Sequence, residues 1–214
     1  MIYLEETLNL YPATVDNMEA YIEYAREHLV PTCQHLGARF IAAWYSSIEW
    51  FYQVTNVLEF DDMDALKAFR IKSGQDPAWG EYAARLEEFA PERRSRLLEP
   101  LGPVPPETLH QAITESQQSP VGTYLLAVLE VGRDKMSQFI SGLETGAQNL
   151  PIIASWRPIA GSPNEVIDVW KSAPAESTYQ PANDWFKQFI RQVREVAPRE
   201  RVIRVLTLPY SPLR

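Results

Sequence analysis

The chain has 214 residues, 45% of them hydrophobic and 22% charged, with 28 Asp and Glu against 20 Lys and Arg for a formal charge of −8. That composition excludes a disordered or collagen-like chain, and the acidic balance argues against a nucleic-acid binder, which would turn a basic face to phosphates. With one cysteine (Cys33), no apolar run near the ~20 residues of a membrane span and no signal-peptide pattern in Met1 to Glu6, the expectation is a cytoplasmic protein.

Ile2, Leu4 and Leu8 share a parity in an alternating stretch, which predicts a half-buried strand. Asp16 and Glu19 have capping-box spacing, and Met18, Tyr21, Ile22, Ala25 and Leu29 then fall on one helical face. Pro31 is expected to end this helix, because the residue before a proline avoids the helical region. Arg39 to Tyr45 and Trp50 to Phe60, rich in aromatic and β-branched residues, read as two strands. Asp61 and Asp62 start a short helix stopped by Gly74, and Asp76-Pro77 starts another, with Trp79, Tyr82, Leu86 and Phe89 on its buried face. Arg96 to Leu98 makes a short closing strand, so the order is β-α-β-β-α-β.

Leu101 to Pro106 opens a stiff, proline-rich linker, after which Glu107 to Gln118 can form a polar helix bearing Leu109 and Ile113. The same order then repeats. Thr123 to Val131 is a strand, Met136 to Leu143 a helix, and Ile152 to Trp156 with Val166 to Trp170 the middle strands. Trp185 to Val193 is a second helix, and Val202 to Leu208 closes the sheet. Trp44 and Trp156 end equivalent strands, and the same spacing sets Asn56 against Asp168 and Val57 against Val169. Charge does not repeat: residues 1–107 carry 9 basic against 18 acidic residues, residues 108–214 carry 11 against 10.

The expected fold is α+β: two tandem ferredoxin-like units, residues 1–101 and 121–214 joined by a linker over 102–120. A four-stranded sheet with helices on one face leaves the other bare. The even residues from Trp50 to Phe60 are expected to face the helices and the odd ones the other unit, packing the sheets into a pseudo-dimeric α/β barrel.

Residues 1–101 resemble the NIPSNAP family of the dimeric α/β-barrel superfamily, and residues 122–209 a more divergent copy. The resemblance rests on the first strand, on Pro31 with His35 and Gly37, and on Ala42-Ala43-Trp44. It continues through Gln53-Val54, Leu58-Glu59-Phe60, Asp76-Pro77-Ala78-Trp79 and Arg96 to Leu101. A frequent histidine of the third strand is here Asn56, and Asp168 in the second copy. The superfamily contains cofactor-free monooxygenases, cyclases, isomerases and haem proteins.

No phosphate loop, nucleophile elbow or histidine pair with metal-ligand spacing occurs, so no cofactor is expected. Asn56 and Asp168 interrupt apolar parity, and a polar group left unpaired there costs about 1–3 kcal/mol. A carboxylate at Asp168 would have a raised pKa and could move a proton. His28, near the expected helix end, and His35, in the matching loop, are the other candidate catalytic groups, with Trp44 and Tyr45 as candidate ligand lining. His110 is expected at the surface. The reading is a barrel that binds a small apolar or aromatic metabolite, as a binding protein or a cofactor-independent enzyme, and is a monomeric pseudo-dimer or a homodimer. The alternatives are a non-enzymatic protein-interaction module and a haem-binding barrel.

Overall fold

The computed structural model of the chain describes residues 1–146, 149–172 and 181–214. Alternation at the start becomes strand β1 (Ile2–Asn9), and the aromatic and β-branched stretches become β2 (Arg39–Ser46) and β3 (Gln53–Phe60). Trp50 and Tyr52 fall before β3 rather than in it, where the Trp50 indole donates to the Leu10 carbonyl. β4 (Glu92–Pro100) is longer than the expected Arg96 to Leu98. Its polar side chains sit on an extended backbone that pairs with β1 along its length.

The first helix departs from expectation at both ends. Its cap is Thr14, whose hydroxyl accepts from the Asn17 amide, and not an Asp16–Glu19 box. Pro31 does not stop it. Helix α1 (Val15–Tyr24) runs through a π-helical turn, Ala25–Leu29, into α2 (Val30–Leu36). The Val30 amide bonds to the Ala25 carbonyl, and this widened turn lets the proline ring and its missing N–H enter a continuing helix. Gly37, at φ 87°, ends it in the left-handed conformation that glycine adopts without steric cost. Asp62 caps α3 (Met63–Ser73) and Asp76 caps α4 (Pro77–Phe89), as their spacing predicts.

The linker forms α5 (Pro106–Gln118). The second half follows as β5 (Thr123–Glu130), α6 (Met136–Gly146), β6 (Ile152–Pro158), β7 (Glu165–Lys171), α7 (Asp184–Val196) and β8 (Arg199–Thr207). All eight strands close into one antiparallel barrel in the order β1-β3-β2-β8-β5-β7-β6-β4. Residues 1–100 supply the run β2-β3-β1-β4, and residues 123–207 supply β6-β7-β5-β8. The seams are β2 against β8 and β4 against β6, so among the described strands no sheet edge stays unpaired.

Strand parity sorts the side chains as expected. Val54, Leu58 and Phe60 join the core under the first-half helices, while Val57 joins an interior shared by both halves. That interior is filled by Tyr3, Trp44, Tyr124 and Trp156, with the Tyr3 and Trp156 rings 5.0 Å apart. Helix α5 adds Leu109 and Ala112 to the same core. Since the outer sheet faces carry the opposite parity, a helix reaches these side chains only through an end of the barrel, so α5 is its plug.

His110 of α5 is not simply at the surface. Its Nε2 lies 2.8 Å from the carboxylate of Glu59, which is buried and also meets Arg39. His110→Ala would remove one charged partner of Glu59 and leave Arg39, half in solvent, as the other, and should cost about 1–2 kcal/mol in urea unfolding. No change in midpoint would mean that α5 is held by its apolar contacts alone.

Candidate functional site

The two polar residues that interrupt the middle strands occupy matching registers. Asn56 stands between Glu6 of β1 and Ala43 of β2, and Asp168 stands between Ala127 of β5 and Ser155 of β6. Both point to the outer, helix-covered side of the barrel, and both are buried. Their surroundings then diverge.

Around Asn56 the space is full. Its Nδ2 donates to the Tyr21 hydroxyl at 2.9 Å, and the Tyr210 hydroxyl donates to its Oδ1 at 3.0 Å. Burial pushes the Tyr21 phenol up to about 12 and those of Tyr82 and Tyr210 well above their ordinary value. The neighbouring Glu6 carboxyl is raised by burial, with Arg93 opposing the rise, and the buried Cys33 thiol is pushed up in the same way. Neither a thiolate nor a phenolate forms here near neutral pH. Tyr210 comes from the tail beyond β8. The Leu208 amide donates to the Ala43 carbonyl, the Ser211 hydroxyl accepts from the Ala43 amide, and the tail thereby lays Tyr210 into the first-half core.

Around Asp168 the space is open. The Leu101 amide donates to the Ser155 carbonyl, the counterpart of the Leu208 bond, but two residues further on stands Pro103 where the other half has Tyr210. The covering helices are also smaller. An unbroken helical run of 22 residues spans Val15 to Leu36, whereas α6 has 11. Helix α7 carries Trp185, Phe186, Phe189, Ile190 and Val193 on one face, yet Val196 is its one buried residue. Between α6, α7 and β7 lies a cavity of about 690 Å³. Its walls include Phe139, Leu143, Trp170, Trp185 and Phe189, with Asp168 reaching it from β7 and glutamines 138, 188 and 192 along its polar side.

The Ser155 hydroxyl donates to Asp168 Oδ1 at 2.6 Å, and among the described residues nothing else bonds to this carboxyl. Burial pushes it up to about 7, the Ser155 bond opposes that rise, and the charge of Glu200 adds to it. Glu200 itself is paired with Arg194. The buried Trp170 Nε1, on the same strand and face, has no hydrogen-bond partner among the described residues. The cavity wall thus carries a half-satisfied acid and an unsatisfied donor, in a shape suited to a molecule of drug size or smaller. An acid that half-ionises near neutrality can hold a proton for, or take one from, a bound molecule.

The other candidates lie elsewhere. His28 is exposed on the π turn, mid-helix because the helix continues to Leu36, with its ring 4.4 Å from that of Tyr24. His35 is exposed in α2, its Nε2 3.6 Å from Asp76 Oδ2 at the start of α4. Trp44 packs inside the barrel, and Tyr45 lies on the outer face against Tyr52. Neither lines the cavity over Asp168, and neither histidine reaches it. The residues that sequence reasoning missed are the lining of α6 and α7, Trp170 of β7, and Ser155, which bonds Asp168 from β6. The pairing of Asn56 with Asp168 already set Ser155 beside Asp168, since Ser155 precedes Trp156 as Ala43 precedes Trp44.

A closed eight-stranded antiparallel barrel with helices outside, fed equally by the two halves of one chain, places this protein among the dimeric α/β-barrel folds. Its residues 6–103 match the family model NIPSNAP. Over nearly the whole chain the fold is similar to a candidate monooxygenase from Lactobacillus acidophilus NCFM, at 13% identity and TM-score 0.61, covering 96% of this chain and 93% of that one. A candidate monooxygenase from Fusobacterium nucleatum is similar to the same degree, at 12% identity and TM-score 0.61, with 97% and 92% covered. An uncharacterised NIPSNAP domain protein from Burkholderia xenovorans aligns with 49% of this chain and 99% of its own, at 18% identity and TM-score 0.44. No curated protein matches the sequence.

Among the described residues, no group of His, Cys, Asp and Glu could hold a metal ion, and no helix is long and apolar enough to cross a membrane. The described lining of the cavity has no histidine, cysteine, methionine or tyrosine, so a haem there would find none of its usual axial ligands.

Proposed function

We propose that this protein binds a small, largely apolar or aromatic molecule in the second-half cavity, with Asp168 as the polar group that orients it and exchanges a proton with it. The observation that carries the reading is the buried carboxyl of Asp168 in the wall of a largely aromatic and aliphatic cavity of about 690 Å³, raised to about 7 and bonded on one oxygen only among the described residues. Shape and chemistry both match a ligand site, and a proton acceptor poised near neutrality matches a cofactor-independent reaction. The reading extends to the architecture. The halves are two ferredoxin-like units, residues 1–101 and 121–214, descended from one ancestor, and the chain works as a monomeric pseudo-dimer. The recurring strand order, the matched registers of Asn56 and Asp168, and the equivalent Leu101 and Leu208 bonds support that descent.

A blocking substitution tests the site without disturbing the core. Gly142 of α6 lines the cavity, and a Cβ added there meets nothing within 4 Å. Gly142→Phe should therefore place its ring in the cavity while improving helix propensity by about 0.5 kcal/mol. The neutral probe N-phenyl-1-naphthylamine should bind the parent protein with one-to-one stoichiometry and a rise in fluorescence. The variant should keep its melting temperature and lose the probe. Equal binding by both would place any ligand elsewhere and overturn the proposal.

A further inference from the structure

Resting on the site just proposed, the charges around it identify the chemical class of its occupant. The described lining holds three carboxylates, Asp168, Glu195 and Glu200, and no lysine, arginine or histidine. The undescribed residues 147–148 and 173–180 contain no basic residue either. Glu200 has its counter-charge in Arg194, and Glu195 is on the exposed side of α7. Asp168 has none. From β6 it faces the hydroxyl of Ser155, from β5 the methyl group of Ala127, from β8 Glu200 with its Arg194, and the helices bring glutamine amides and Ser141 to the lining. A buried carboxylate without a cation is the arrangement that proteins avoid unless something else supplies the charge. The walls point the same way, since Trp170, Trp185, Phe139 and Phe189 line the cavity, and aromatic ring faces attract cations and repel anions.

We infer that the cavity takes a protonated hydrophobic amine, whose ammonium meets the free oxygen of Asp168 while its apolar body lies among these rings. An anionic ligand would meet three acids and no base. A neutral alcohol would find one ordinary hydrogen bond and no charge partner.

Three naphthalene probes of nearly one shape separate these cases: naphthalen-2-ylmethanamine, naphthalen-2-ylmethanol and 2-naphthoate, each titrated by calorimetry at pH 7.5. The amine should bind about tenfold or more tighter than the alcohol, the usual advantage of a charge-assisted over a neutral hydrogen bond, and the carboxylate weakest of all. Amine affinity should rise as pH is raised from 5.5 to 8 and Asp168 ionises, with proton release visible as a dependence of the heat on the buffer's ionisation enthalpy. Asp168→Asn should remove both the amine's advantage and its pH dependence and leave alcohol binding intact. This variant keeps the acceptor for Ser155, and the matching register of the first half already holds an asparagine, Asn56. Equal amine and alcohol affinities, or tightest binding of the naphthoate, overturn the charge assignment and leave the cavity's role standing. Binding of none of the three overturns both.

Discussion

Replacing Asp168 with Asn is expected to stabilise the protein at pH 8 by up to about 4 kcal/mol and to have little effect at pH 4. The native carboxyl keeps its proton up to about pH 7 because it is buried, while the unfolded chain releases it near the ordinary value of 3.8. Between those values the native state binds more protons than the unfolded state. Stability therefore falls as pH rises through this window, by about 1.36 kcal/mol for each unit of difference, and the loss is complete above pH 7. Asparagine does not ionise, keeps the acceptor for the Ser155 hydroxyl and fits the same volume. Urea unfolding of both proteins from pH 4 to 8 should show the two stabilities diverging as pH rises, with the variant on top. Parallel curves, or a variant weaker at every pH, would mean that the carboxyl is solvated or paired in solution and that the site lacks its poised acid. A group that destabilises its own fold at neutral pH is hard to explain by structure alone, and that makes its placement in a cavity informative.

Much of the fold follows from patterns that a sequence displays directly. Strand parity in β3 assigned Val54, Leu58 and Phe60 to the helices and Val57 to the shared interior, because side chains alternate regardless of what covers them. The spacing that linked Asn56 to Asp168 identified the buried acid of the described lining for the same reason: register is set by the backbone and survives divergence of side chains. The cavity itself was not legible. It is a shortage of volume shared among a short α6, a loosely seated α7 and Pro103, three elements far apart in the chain, and no periodicity registers missing atoms. Trp44 and Tyr45 looked like lining because aromatics crowd their neighbourhood, yet parity sends one into the barrel and the other against Tyr52. Pro31 was misread because a π turn relieves the clash that normally stops a helix, and that relief depends on packing around Ala25 and Leu29.

The same comparison of halves predicts how to make a second site. Tyr210→Ala should cost about 3–5 kcal/mol, the usual range for removing a large aromatic from a core, and should open a cavity over Asn56. The ring being removed is 7% exposed and packs near Phe40 and Tyr21 at centroid distances of 5.9 and 6.4 Å. Tyr210→Phe isolates the hydroxyl: it keeps the ring, leaves Asn56 Oδ1 without its donor, and should cost only about 1–2 kcal/mol. The tail would stay in place in either variant. The Ser211 hydroxyl holds the Ala43 amide, the Leu213 amide donates to the Ile41 carbonyl, and Leu213 is fully buried in the barrel core. With the tail anchored on both sides of the deletion, the space left by the ring has no segment free to fill it, and an apolar cavity of that kind stays open to small aromatics. A single-ring aromatic such as phenol should accordingly bind the alanine variant at two sites, and the parent and phenylalanine proteins at one. Gly142→Phe combined with Tyr210→Ala should return the count to one, now in the first half. An unchanged count in the alanine variant would show that the first-half core collapses around the gap, and that more than Tyr210 separates a filled half from an open one.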